Sequence, residues 1–135
     1  MLEKQVFIIC PVRGATEEEN EFLRDYVSGL EMQGYKVHFP PRDTNQTDPT
    51  GGYRICSANC AAIRNASEVH IYWTKKSQGT LFDIGISFDE NQQNKKPIRL
   101  INRKDVESIV NAQKSQGVGK SFEQVLLRLD SENPC

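Results

Sequence analysis

The chain has 135 residues, with 17 Lys+Arg against 18 Asp+Glu and a formal net charge of -1; that length suits one domain with a core that needs no disulfides or metals. The charge balance excludes a dedicated binder of nucleic-acid polymers, which carries a basic excess, and no apolar run approaches the roughly 18–20 residues that cross a bilayer. The start, Met1-Leu2-Glu3-Lys4, lacks the basic head and apolar middle of a signal peptide, so a cytoplasmic protein is expected.

Gln5 to Pro11 is a nearly continuous apolar run rich in β-branched residues, which predicts a strand buried on both faces. Thr16-Glu17-Glu18-Glu19 is a capping box, and the helix it opens repeats apolar groups at Phe22, Leu23, Tyr26, Val27 and Leu30 before stopping at Gly34. Tyr35 to Phe39 reads as a second strand. Residues 41–52 carry no hydrophobic side chain larger than proline and predict a long loop, of the kind that serves as a lid or binding loop. A helix follows, with Ile55, Cys56, Cys60 and Ile63 on its inner face and Asn59 in the same stripe.

Glu68 to Trp73 is the third strand. Ser77-Gln78-Gly79-Thr80 turns into a helix carrying Leu81, Phe82, Ile84 and Phe88, and Asp83 is expected in its first turn, where Thr80 and Asp83 resemble a capping box. Gly85 inside that helix costs about 1 kcal/mol relative to alanine and suggests close packing. Pro97 to Ile101 is the fourth strand. Two short helices complete the chain: one with Val106, Ile109 and Val110, and one that opens on a Ser121/Gln124 capping box and buries Phe122, Val125, Leu126 and Leu129.

Alternating strands and helices predict an α/β fold: three layers, αβα, with a flavodoxin- or Rossmann-like parallel sheet of four to five strands. A single domain over 1–135 is expected, with its core at about 5–102 and a helical part at 103–135. Ligands of such folds bind beyond the carboxyl ends of the strands, where strand order reverses.

Four cysteines read as buried small hydrophobes plus a tail thiol at Cys135. His38 and His70 lie in separate strands, so a zinc site is not expected. Arg13-Gly14 directly before a helix N-terminus suits an anion, as do Ser77 and the amides near Gly79 and Thr80. Arg42, Gln46 and Asp48 of the long loop can read the edge of a polar ligand.

These residues resemble the nucleoside 2-deoxyribosyltransferase family, including its nucleotide N-hydrolase branch. The resemblance covers roughly the first hundred residues: Cys10-Pro11-Val12-Arg13-Gly14, then Ala62-Ile63-Arg64-Asn65-Ala66, then Ser77-x-Gly79-Thr80-x-x-Asp83-x-Gly85. It implies a carboxylate, here Asp83, that attacks the anomeric carbon of a nucleoside from about 3–3.5 Å. The glycosyl-enzyme would pass to another base or to water. Ser77, six residues before the acid, matches the phosphate-binding serine of the hydrolase branch, with Arg13, Gly14, Gly79 and Thr80 completing the phosphate site. Arg42, Gln46, Asp48 and Asn59 are candidates for base and sugar.

The chain departs from the family at three places. Asp83 replaces a glutamate, Phe7 replaces a tyrosine that orients it, and Asn59 replaces a helix aspartate. The resemblance implies no cofactor and no metal, a small nucleoside or nucleotide as partner, and a homodimer or higher homo-oligomer. The leading expectation is an N-glycosidase-type enzyme, hydrolase or transferase, acting on (deoxy)nucleoside 5′-monophosphates. The alternatives are a non-catalytic nucleotide-binding or sensing protein on the same fold and, further off, an interaction module.

Overall fold

A computed structural model describes residues 4–133, so the readings of the chain start and of Cys135 lie outside the described residues. Strands β1 (Gln5–Ile9), β2 (Lys36–His38), β3 (Glu68–Ile71) and β4 (Ile98–Leu100) form one parallel sheet in the order β2-β1-β3-β4. Register follows Val6 opposite Val37, Phe7 opposite Val69, and Val69 opposite Ile98. Helices α1 (Glu17–Met32), α2 (Pro40–Asp43), α3 (Tyr53–Asn65), α4 (Gln78–Asn94), α5 (Arg103–Ser115) and α6 (Phe122–Ser131) cover it. The described residues hold four strands and no fifth, and no helix is long and apolar enough to cross a membrane.

β1 is buried on both faces, as its unbroken apolar run requires. Phe7 and Ile9 join Ile63, Val69, Ile71 and Ile98 on one side; Val6 and Ile8 join Leu23 and Val27 of α1 on the other. Each such side chain contributes about 1.5–3 kcal/mol of transfer free energy. Both halves of the predicted capping box open α1: Thr16 Oγ1 accepts from the Glu19 amide at 3.0 Å, and Glu19 Oε1 accepts from the Thr16 amide at 2.9 Å. Gly34, at φ +95°, takes the left-handed conformation that ends this helix.

Several local expectations are corrected. The long loop begins as the short helix α2, held by Asp43 Oδ2 accepting from the Phe39 amide at 2.8 Å. The cap of α4 is Ser77, whose Oγ accepts from the Thr80 amide, so Thr80 lies inside the helix and Asp83 falls in its second turn. The inner face of α4 carries Thr80 and Ser87, both buried, and this leaves Leu81, Phe82 and Phe88 at 39%, 56% and 41% exposed. A Cβ on Gly85 would meet nothing within 4 Å, so close packing does not explain that glycine.

In α6 only half of the capping box forms, because Gln124 Nε2 donates to the Val118 carbonyl instead of reaching back. Leu126 and Leu129 are buried, but Phe122 and Val125 are exposed. The inner stripe takes Glu123 instead: Trp73 Nε1 donates to its Oε2 and Gln113 Nε2 to its Oε1, both at 2.9 Å. On α3 the buried pair is Asn59 and Ile63, with Ile55, Cys56 and Cys60 half-buried.

Polar groups tie the layers together. Lys96 Nζ donates to the Ile63 and Arg64 carbonyls at the end of α3 and to Glu90 of α4. Asp130 Oδ1 accepts from the Leu100 amide and Asn133 Nδ2 donates to the Ile98 carbonyl, along the outer edge of β4.

Candidate active site

From β1 the chain moves outward to β2, and from β3 outward to β4, so the order reverses between β1 and β3. A cavity of about 500 Å³ opens there, at the carboxyl ends of the strands. The loop after β1 contributes Cys10, Val12 and Arg13, the loop after β2 contributes Pro40 and Gln46, and α3 contributes Ile55 and Asn59. The run from Lys76 to Thr80 and Asp83 complete the wall.

Asp83, on α4, stands beside Cys10, the residue that follows β1. Burial pushes its carboxyl up to about 6, against which the Asn59 side-chain amide, donating across 3.5 Å, acts in the lowering direction. Such a group is ionised at neutral pH yet basic enough to act as nucleophile or general base. Cys10, on the same wall, is the competing nucleophile. Burial, then the neighbouring Asp83 charge, pushes its thiol up to about 12, which keeps it protonated and inert.

The same cavity gathers groups able to hold an anion. Ser77 Oγ accepts from the Thr80 amide at 3.1 Å and keeps its own proton to donate. The amides of Gln78 and Gly79, in the first turn of α4, have no partner within the helix. Thr80 is among the lining residues but only 1% exposed, and its Oγ1 is buried with no hydrogen-bond partner. Arg13 and Lys76 supply positive charge; among the described residues neither is held in an ion pair. Gly14, at φ +74°, makes the turn that follows Arg13.

The structure therefore brings Arg13, Ser77, Gly79, Thr80, Asp83, Asn59 and Gln46 to one cavity. Gln46 Nε2 is spent on the Pro40 and Thr44 carbonyls, leaving its Oε1 as the group available to a ligand. It does not bring Gly14, Arg42 or Asp48 there. Arg42 is turned away by bonds to Asp43, Glu31 and the Val37 carbonyl. Asp48 accepts from the Thr50 and Ile55 amides and orders the entry to α3. Lys76 is the lining charge that sequence reasoning missed; its only signal is a basic residue beside Ser77.

Neither a family model nor a curated protein matches the chain in sequence. Among solved structures it is similar to the Clostridium botulinum CMP N-glycosidase BcmB, at a TM-score of 0.53 and 22% identity, over 72% of this chain and 67% of that one. That likeness shows a shared Rossmann-like αβα fold.

Proposed function

We propose that the protein is an N-glycosidase-type enzyme that cleaves or transfers the base of a (deoxy)nucleoside 5′-monophosphate. The observation that carries this reading is the placement of a raised-pKa carboxylate, Asp83, and an anion cradle at the α4 N-terminus in one cavity. The cradle takes the 5′-phosphate on Ser77, the Gln78 and Gly79 amides, Arg13 and Lys76. With the phosphate anchored, C1′ is presented to Asp83. Its carboxylate forms the Oδ–C1′ bond as the C1′–N bond breaks and the electron pair leaves with the base. Water or a second base then takes the glycosyl group and frees the carboxylate. The likeness to a CMP N-glycosidase supports a nucleotide substrate and puts cytidine monophosphates first among those to be tried.

A second reading is favoured by Phe7. Its ring stacks on His38 at 5.1 Å and offers Asp83 no hydroxyl, which suits a nucleotide-binding protein without catalysis. The two separate when the protein is incubated with a panel of nucleoside 5′-monophosphates and free base is followed by chromatography beside Asp83→Ala. Release that is lost in the variant supports the enzyme; binding without release, unaffected by the variant, supports the binder. The exposed apolar strip of Leu81, Phe88, Phe122 and Val125, on neighbouring faces of α4 and α6, supports self-association, with a second copy covering it.

A further inference from the structure

Asn59 is the hydrogen-bond donor to the Asp83 side chain, and it is not free to turn. Its Oδ1 lies 3.3 Å from Thr44 Oγ1, which lies 3.0 Å from His38 Nε2. One hydroxyl proton can serve only one of those neighbours. If His38 carries its proton on Nε2, it donates to Thr44, the Thr44 proton goes to Asn59 Oδ1, and the amide NH₂ is left facing Asp83. If Nε2 is bare, Thr44 donates to the ring and the amide loses its anchor.

His38 is held in place for that role. Its ring lies nearly parallel to that of Phe7, at an interplanar angle of 8°, on the neighbouring strand position. It also lines a second cavity, of about 470 Å³, whose walls do not include Asp83. Burial lowers its pKa, which keeps the ring neutral at physiological pH; Asp43 pulls the other way, and Arg42 adds to the lowering. The charged and titratable groups facing Asp83 are Cys10 on its own wall and Arg13 and Lys76 across the cavity.

The geometry points to His38 and Thr44 as positioning residues for Asp83: the His38 Nε2 proton sets the direction of a hydrogen-bond chain through Thr44 and Asn59, so that an N–H donor faces the carboxylate. Its catalytic meaning rests on the function proposed above, but the chain itself can be read in the free protein.

The test is carboxyl ¹³C NMR on aspartate-labelled protein, with the Asp83 signal assigned through Asp83→Asn. Asn59→Leu, which removes the donor, sets the full upward shift of the Asp83 midpoint. Thr44→Val and His38→Phe reproduce most of it, roughly half a pH unit, while Thr44→Ser, which keeps the hydroxyl, stays at the wild-type value. Amide spectra confirm that each variant is folded, and Thr44→Ser supplies the comparison if Thr44→Val is not. The chain is overturned if the midpoint stays put in Thr44→Val while moving in Asn59→Leu, if Asn59→Leu moves nothing, or if Thr44→Ser shifts as far as Thr44→Val. A shifted midpoint in a protein that cleaves no nucleotide leaves the chain standing and removes the enzyme; cleavage without a shift does the reverse.

Discussion

Replacing Asp83 by asparagine is expected to stabilise the fold at neutral pH while abolishing base release. The carboxyl titrates at 3.8 in the absence of structure and at about 6 in the fold, because burial penalises the charged form. A raised folded value means the favourable contribution is complete below 3.8 and is lost as pH rises through about 6. At about 1.4 kcal/mol per unit, the penalty at neutral pH has an upper value of about 3 kcal/mol. The cavity is open to water, and screening brings this to about 1–2 kcal/mol. Thermal melts of wild type and Asp83→Asn then differ by roughly 3–8 °C in favour of the variant at about pH 7.5, and converge at about pH 4. A gain of the same size at both pH values, or a loss at the higher one, would refute the reasoning. A stability gain coupled to lost activity is the trade-off characteristic of a built active site.

Three further outcomes are expected. Ser77→Ala removes the α4 cap, costing about 1 kcal/mol in denaturant titrations, and calorimetry should show about tenfold weaker binding of a nucleoside 5′-monophosphate with the free nucleoside little affected. Lys96→Met strands the Ile63 and Arg64 carbonyls and the Glu90 carboxylate, and urea denaturation should report a loss of about 3 kcal/mol. Phe88→Asp, on the exposed apolar strip, should convert a dimer into a monomer in sedimentation velocity; a wild-type monomer would show that no second copy covers that strip.

Much of the architecture is written in periodicity. β1 is apolar at every position because both of its faces are covered, and α1 shows its cap and its stripe in the residue order alone. Misassignments arose where a polar group occupies an inward position. Glu123 displaces Phe122 and Val125 from the inner side of α6 because the Trp73 indole needs an acceptor there. Thr80 and Ser87 do the same on α4, and the apolar residues left outside look like core in a sequence. The shared placement of Ser77, Thr80 and Asp83 was legible because cap and carboxylate lie close together in the chain. The roles of Arg42 and Asp48 were not, since which way a loop side chain turns is decided by partners such as Glu31 that are remote in sequence. His38 and Thr44 carried no sequence signal, because their connection to Asp83 passes through three separate elements.

The outer edge of β4 has a consequence for how the chain behaves when damaged. Asp130 and Asn133 supply the hydrogen bonds that a fifth strand would otherwise make, so the sheet is closed by two side chains instead of by backbone. Proteolysis in the segment between α5 and α6 that released α6 would bare the β4 edge together with the core surface that Leu126 and Leu129 cover. The nicked product would then offer unpaired amides beside apolar surface, the combination that recruits strands from other molecules. Helix α6 therefore shields a sheet edge as well as completing the core.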